Sequence, residues 1–217
     1  MQENDINIEK QDKRQQLLEV AERLFAKQGY EAVSIRQLAA EAGVNIAMVS
    51  YYFESKENLF KTLLESKMPK TRQLLEQLLV SDLSPWEKLS KVIDMYTEKF
   101  FGGRAFHRII MRELSLQQRP EHVKLIAENM GRNMEIIGAM IREGQEKGQF
   151  RYVDVELTIS SIFGTLSTAI NNQPLMCMLM KEPDTEKVYD QAYKERFTKH
   201  IKSMLQAHLF LKTPSDT

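Results

Sequence analysis

The chain has 217 residues with 30 basic and 30 acidic side chains, so its formal net charge is zero and any affinity for nucleic acid must come from a local surface. Hydrophobic residues make up 42% of the sequence, enough for a buried core, and 28% are charged, as in an ordinary soluble protein. Without an apolar run of roughly 18 residues, a signal-peptide pattern or a second cysteine beside Cys177, the sequence predicts a cytoplasmic protein with no membrane partner and no intrachain disulfide.

The N-terminal part of the chain predicts an arm followed by one amphipathic helix. Residues 1–11 are polar and lack helical periodicity, so we expect a flexible arm. From residue 12 to residue 28, helical spacing places one apolar face inward, formed by Leu17, Leu18, Ala21, Leu24 and Phe25. Gly29 follows as the residue that adopts the left-handed conformation and ends the helix.

Residues 34–53 predict two short helices around a glycine turn. Ser34 is expected to cap the first helix on the backbone N–H of Gln37, whose side chain would reach back as in a capping box. Gly43 makes the turn, and Asn45 is expected to cap the second helix. This order is typical of a helix-turn-helix DNA reader, whose second helix enters the major groove.

The rest of the sequence predicts helices only. A long helix begins after Ser55, Pro69 marks its joint to a second region, and Ser84 opens a capped helix. Further helices are expected at residues 85–101, 105–117, 120–148, 155–171 and 185–212. The predicted fold is all-α, with a three-helix helix-turn-helix domain over residues 12–66 and a helical ligand-binding and dimerisation domain over residues 67–217.

Residues 14–64 resemble the TetR family of repressors. The matching residues fall at fixed spacings over about fifty positions: Arg14, Leu17, Leu18, Ala21, Leu24, Phe25, Gly29, Tyr30, Ser34, Ile35, Leu38, Ala39, Ala42, Gly43, Val44, Tyr52, Phe53, Ser55, Lys56, Glu57 and Leu59. The resemblance implies a homodimer that binds a palindromic operator in double-stranded DNA and a small-molecule effector that binds the C-terminal domain and releases the DNA.

The same resemblance implies which side chains contact DNA. Arg36 matches a base-reading position, where an arginine pairs bidentately with guanine for about 1–3 kcal/mol of discrimination. The exposed start of the recognition helix would be Asn45, Ile46, Ala47, Met48 and Ser50, and the phosphate contacts would be Ser34, Tyr51, Tyr52 and Lys56. Ala47 and Ser50 depart from the glycine and tyrosine usual in the family, so one usual contact is missing.

The C-terminal region is rich in methionine and aromatic residues, which suit an adaptable apolar pocket. We expect pocket residues among Phe100, Phe106, Met111, Met130, Met134, Phe163 and Leu166. Two apolar stripes on the last long helices predict a dimer interface with Ile159, Ile162, Ile170, Phe197, Ile201, Met204, Leu205 and His208. For both sets the alternative is ordinary packing inside one protomer.

No catalytic or metal-binding motif accompanies these features. The sequence has no His-Glu-x-x-His, Walker or Rossmann fingerprint and no cysteine pair, so we expect neither an enzyme nor a metal or organic cofactor. Besides the ligand-responsive repressor, two hypotheses stay open. One is a TetR-like DNA binder that acts through a protein partner without a ligand. The other is a helical binding protein that has lost its affinity for DNA.

Overall fold

A computed structural model describes the backbone of residues 2–210 and the side chains of residues 11–184 and 187–210. Within these residues the chain forms helices and no strands, which confirms the predicted all-α fold. The helices are α1 (Gln2–Gln28), α2 (Ile35–Glu41), α3 (Ile46–Phe53), α4 (Lys56–Leu79), α5 (Pro85–Gly102), α6 (Arg104–Leu116), α7 (Pro120–Glu146), α8 (Val155–Asn171), α9 (Gln173–Met180), α10 (Thr185–Val188) and α11 (Gln191–Leu209).

The structure corrects two predicted boundaries in the N-terminal half. Helix α1 begins at Gln2, so it covers residues 2–11, where a flexible arm was expected. Those residues have no apolar face, but they include good helix formers and neither glycine nor proline. Helix α4 continues through Pro69 to Leu79. Because Met68 and Thr71 are buried on either side of the proline, tertiary packing holds the helix together across it.

The residues between the predicted helices 155–171 and 185–212 contain a further helix, α9. Helix α9 starts just before Pro174, whose fixed φ suits the first turn, and it ends at Lys181 in the left-handed conformation with φ 55°. Helix α11 begins six residues later than residue 185, because Asp190 caps it by accepting a hydrogen bond from the N–H of Tyr193 at 2.7 Å. The predicted end at residue 212 lies outside the described residues.

The chain divides into two compact units. The first unit contains residues up to Lys70 together with Ala105–Asn129, and the second contains Thr71–Arg104 together with the residues from Met130 onward. Helix α6 and the start of α7 therefore pack with the N-terminal helices, although their position in the sequence assigned them to the C-terminal domain. Their attachment comes from buried apolar and ionic contacts, which sequence order does not show.

Local signals in the sequence shape the core of the first unit. The inner residues of α1 to α4 are buried as their helical spacing predicts: Leu17, Ala21, Leu24, Phe25, Leu38, Ala39, Val49, Phe53, Leu59, Phe60 and Leu63. Gly29 and Gly43 have φ values of 87° and 61°, which L-residues rarely adopt, so glycine allows both sharp turns. These turns fix the directions in which α2 and α3 leave the core.

The second unit has one apolar core drawn from α4, α5, α7, α8, α9 and α11. Its largest fully buried side chains include Leu75, Leu89, Ile137 and Met140. Helix α5 starts with the predicted capping box, in which Ser84 and Glu87 exchange hydrogen bonds between side chain and backbone. Burial of the apolar face of α5 provides the main stabilisation of this helix, and the cap adds about 1 kcal/mol.

Candidate nucleic-acid interface

Helix α2 is held at its start by the predicted cap. The hydroxyl oxygen of Ser34 accepts a hydrogen bond from the backbone N–H of Gln37 at 3.1 Å. The other half of the predicted capping box is absent, because the Gln37 side chain donates to the side-chain oxygen of Gln28 at 3.3 Å. The end of α1 and the start of α2 are therefore joined through this amide pair.

Helix α3 has the other predicted cap. Asn45 Oδ1 accepts a hydrogen bond from the backbone N–H of Met48 at 2.8 Å, which uses the oxygen and leaves the amide hydrogens of Asn45 free to face outward. The N–H of Val44 donates to the carbonyl of Ala39 at 3.0 Å and closes the turn at Gly43. The two helices are thus pre-organised by backbone bonds rather than by contact with a ligand.

The outer face of α2 and α3 carries the side chains predicted to contact DNA. Ser34, Arg36, Asn45, Ile46, Ala47, Ser50 and Tyr51 are exposed, Met48 and Tyr52 are half-buried, and Val49 and Phe53 form the inner face. The Tyr51 ring is 69% exposed and lies 5.2 Å, centroid to centroid, from the Tyr52 ring. In the described part of the chain, Arg36 forms no ion pair, so its guanidinium is available to a base edge or a phosphate.

Lys56 is placed differently from the other predicted contacts. Its ammonium donates hydrogen bonds to the carbonyls of Tyr30 and Val33, both at 2.8 Å, and lies 4.2 Å from the centroid of the Tyr30 ring. Burial is the largest influence on this group and lowers its pKa. The structure therefore directs Lys56 to the loop between α1 and α2, whereas the resemblance implied a phosphate contact.

Three acidic residues of the first unit are paired with basic side chains. Glu41 accepts a hydrogen bond from Arg23 at 2.7 Å, Glu22 accepts one from Lys67, and Glu31 accepts one from Arg119. The sequence has as many acidic as basic side chains, and free carboxylates would repel the phosphates of DNA. A carboxylate neutralised by a neighbour repels phosphate less than a free one.

A buried ionic cluster in the first unit was not predicted from the sequence. His122, at the start of α7, lies between the carboxylates of Glu57 and Glu113. Arg119 donates two hydrogen bonds to Glu113, at 2.8 and 3.0 Å, and Glu57 accepts the hydroxyl hydrogen of Tyr30 at 2.9 Å. Its members come from α4, from α6 and α7, and from the loops beside them, and only the folded chain brings these segments together.

The predicted pocket residues do not form one group. Phe106 and Met111 belong to the first unit, whereas the other five belong to the second. There, Phe100 and Leu166 are buried in the core, Met134 and Phe163 pack against it, and Met130 is half-buried. Four of these five residues therefore lie in or against the core of the second unit.

Most of the predicted dimer residues are also core residues. Six of the eight are buried in the second unit: Ile159, Ile162, Ile170, Phe197, Ile201 and Leu205. Only Met204 and His208 are exposed, and His208 forms a hydrogen bond with the Thr158 hydroxyl at 3.0 Å. The apolar stripes of α8 and α11 therefore face the protomer's own core, and their buried residues pack inside one protomer.

Residues of α8, α9 and α11 border an open groove of about 920 Å³, and the predicted dimer residue Phe197 is among them. Small and hydroxyl side chains of α8 line one side, including Ser161, Gly164 and Thr168, and the polar residues Lys199, His200 and Ser203 of α11 line the other. None of the seven predicted pocket residues lines this groove.

Two negative observations apply to the described residues. None of their helices is both long and apolar enough to cross a bilayer. Their histidine, cysteine, aspartate and glutamate side chains form no group of three or more that is suited to hold a metal ion.

Comparison with known proteins identifies both parts of the chain. The model of bacterial regulatory proteins of the tetR family matches residues 17–63, and that of the tetracyclin repressor-like C-terminal domain matches residues 82–171. The fatty acid metabolism regulator protein of Bacillus subtilis is 26% identical over 163 residues, covering 75% of this chain and 84% of the relative.

Solved structures share the fold. The fatty acid degradation regulator FadR from Bacillus halodurans is 21% identical with a TM-score of 0.62, covering 87% of this chain and 94% of the other. The ketosteroid transcriptional regulator KstR2 of Mycobacterium tuberculosis is 21% identical with a TM-score of 0.71, covering 92% and 95%. With the capped helix-turn-helix and its exposed outer face, these matches show that the chain belongs to the TetR family, as a DNA-binding transcriptional repressor regulated through its C-terminal domain.

Proposed function

We propose that this chain binds a palindromic operator as a cytoplasmic homodimer and leaves it when a small apolar effector occupies the C-terminal domain. The observation that carries the proposal is the exposed outer face of α2 and α3, with Arg36 and Tyr51 facing outward from two helices fixed by their caps. A dimer presents two such faces to successive major grooves, about 34–36 Å apart.

The structure supports separate roles for the predicted DNA contacts. Arg36 reads a base edge, and the start of α3 supplies the groove contacts through Asn45, Ile46, Ala47, Met48 and Ser50. Ser34, Tyr51 and Tyr52 contact phosphates, which sets the register on the duplex. Lys56 acts as a positioning residue, because its ammonium holds the loop that precedes α2.

Release by the effector is a population shift. In one form of the dimer the two helix-turn-helix domains are wrongly placed for the operator. An effector that binds this form more tightly than the DNA-binding form lowers operator affinity by the difference between its two binding free energies, typically about 1–3 kcal/mol. Helices α4 and α7 each contribute residues to both units, so a change in the second unit reaches the first along continuous helices.

An apolar effector with one polar group fits the second unit best. Its core is lined by adaptable methionines, including Met134, Met140 and Met176. Among the described residues, Asn133 Oδ1 and Thr97 Oγ1 are buried without a hydrogen-bond partner, a costly state that a polar ligand atom would relieve. The names of the related regulators point to fatty acid and ketosteroid metabolism, which is consistent with a lipid-like effector.

The dimer interface is proposed on the exposed faces of α8 and α11. Gly164 and Thr168 allow a close approach of α8 to the same helix of a second copy, and the polar residues of α11 border this contact. This assignment replaces the buried stripe residues, while Met204 and His208 stay as edge contacts.

Selection of genomic fragments with purified protein tests the DNA claim. Wild type should enrich a palindrome, and its affinity should fall steeply with salt as counterions are released. Arg36→Ala should relax the preference at one base pair of each half-site, with a cost of about 1–3 kcal/mol, whereas Tyr51→Phe should weaken all sites alike.

Arg132→Ala is the matched control, because it removes an exposed arginine on α7 outside the proposed reading surface. This variant should keep both the affinity and the preference of wild type. Enrichment of no fragment by wild type at moderate salt would support the hypothesis of a binding protein without DNA affinity.

A further inference from the structure

His122 is a buried histidine with a carboxylate at each ring nitrogen. Its side chain is 3% exposed, Nδ1 lies 3.1 Å from Glu113 Oε2, and Nε2 is hydrogen-bonded to Glu57 Oε1. The ring stacks on Phe60 at 4.3 Å between centroids and meets the edge of Tyr30 at 5.3 Å. The imidazole therefore has fixed partners on every side.

Two carboxylate partners require two N–H donors. A neutral imidazole has one N–H and one acceptor nitrogen, whereas an ionised carboxylate only accepts. Burial alone would raise the pKa of Glu113, but hydrogen bonds from His122 and Arg119 outweigh it and lower this pKa to about 2. Glu57 is half exposed and accepts the Tyr30 hydroxyl. Both hydrogen bonds of His122 form together only in the imidazolium.

The charged groups around His122 come from every element that packs against it. Helix α4 contributes Glu57 and the neighbouring Lys56, and α6 contributes Glu113. The loop after α6 contributes Arg119, which binds both Glu113 and Glu31. The imidazolium and Arg119 thus balance the two carboxylates that meet the histidine.

These contacts converge on the loop that leads into α2. Lys56, next to Glu57 in α4, holds the carbonyls of Tyr30 and Val33, and Val33 directly precedes the Ser34 cap. Glu57 also binds the Tyr30 hydroxyl in the same loop. Loss of the His122–Glu57 contact would therefore loosen the segment that sets the start of α2.

We propose that the His122 imidazolium is a charged clamp between α7, α6 and α4, and that the proton it carries is a second effector that strengthens operator binding. His122 is a positioning residue in this scheme, since it reaches DNA only through Glu57 and the loop before α2. The effect on DNA rests on the proposed function, whereas the clamp itself belongs to the free protein.

Nitrogen NMR of histidine-labelled protein tests the clamp without DNA. The His122 signal is assigned as the one that is lost in His122→Gln. In free protein, under the conditions in which it can bind DNA, this signal should show protons on both ring nitrogens. As pH rises and one proton is lost, amide exchange over residues 30–38, corrected for its intrinsic pH dependence, should accelerate in wild type. A single protonated nitrogen, or unchanged exchange on proton loss, would overturn the proposal.

Operator titration over the same pH range tests the coupling. Wild-type affinity should fall about five- to tenfold as His122 loses its proton, at the lower end of ordinary coupling. His122→Gln and Glu57→Gln should both lose this step; the second changes a half-exposed residue, so it keeps the test valid if the first is unstable. Lys124→Gln, which removes an exposed charge from the same helix, should keep it.

Identical pH profiles for wild type and His122→Gln would contradict the coupling. If the clamp behaves as expected in free protein while no DNA is bound at any pH, the proposed function fails and the clamp stands.

Discussion

Single side chains of the first unit separate into those exposed on the outer face of α2 and α3 and those whose polar atoms are held by neighbouring residues. Arg36 and Tyr51 are exposed, whereas Lys56 is hydrogen-bonded to backbone carbonyls and His122 to carboxylates. The resemblance grouped Lys56 with the outward set because sequence position does not show where an ammonium ends. In the folded chain, the carbonyls of Tyr30 and Val33 lie near this ammonium and accept its hydrogen bonds.

Glu113 provides a prediction about acid stability. Its pKa is lowered from 4.5 to about 2, so its stabilising effect is present above pH 4.5 and is lost as pH falls toward 2. This loss should amount to about 2–3 kcal/mol. In urea unfolding at pH 7 and pH 3, Glu113→Gln should lose less stability on acidification than wild type.

The matched control for this prediction is Glu121→Gln, which changes an exposed carboxylate at the start of α7. Its pH dependence should follow wild type. The explanation would be wrong if Glu113→Gln and wild type lost equal stability between the two pH values. Glu113→Gln should also be less stable than wild type at neutral pH, because Arg119 and His122 lose the buried carboxylate that they share.

At the scale of elements, local signals predicted the helix starts and the turn of the helix-turn-helix well. Capping residues and glycines act within one turn, so Ser34, Gly43, Asn45 and Ser84 could be placed from sequence alone. The continuation of α4 through Pro69 could not, since packing on both sides of the proline decides it. The stripes on α8 and α11 were equally ambiguous, because periodicity shows an apolar face but not what it packs against.

The cap of α3 gives a prediction that separates folding from DNA contact. Asn45→Ala should destabilise the protein by about 1 kcal/mol, because the N–H of Met48 loses its side-chain acceptor and keeps only the backbone carbonyl of residue 45, at 3.1 Å. Asn45→Asp keeps an acceptor and should keep the stability, but its negative charge at the exposed start of α3 should weaken operator binding about tenfold. Urea unfolding and operator titration of the same samples measure both effects.

Asn45→Ser serves as the control, since it keeps a capping oxygen without adding charge. It should bind the operator more tightly than Asn45→Asp. Equal binding by these two variants would place the start of α3 away from the DNA.

At the scale of the whole molecule, the proposed dimer places its interface on the exposed face of α8 and α11. Gly164→Arg should dissociate the homodimer, because it adds a bulky charge at an exposed position where no other part of the protomer, beyond the adjacent residues and the backbone of α8, lies within 4 Å of a new Cβ. Gly131→Arg makes the same change on α7, where the space is equally open, and should stay dimeric. Sedimentation equilibrium measures both, and a dimeric Gly164→Arg variant would refute this interface.

The central claim is that the outer face of α2 and α3 reads a specific operator, and one titration tests it most directly. The affinity of wild type and Arg36→Ala is measured for the selected palindrome and for a scrambled duplex over a series of salt concentrations. We expect wild type to prefer the palindrome by about 10³-fold or more, with a steep salt dependence, and Arg36→Ala to lose part of that preference. Equal affinity of wild type for both duplexes would contradict the claim.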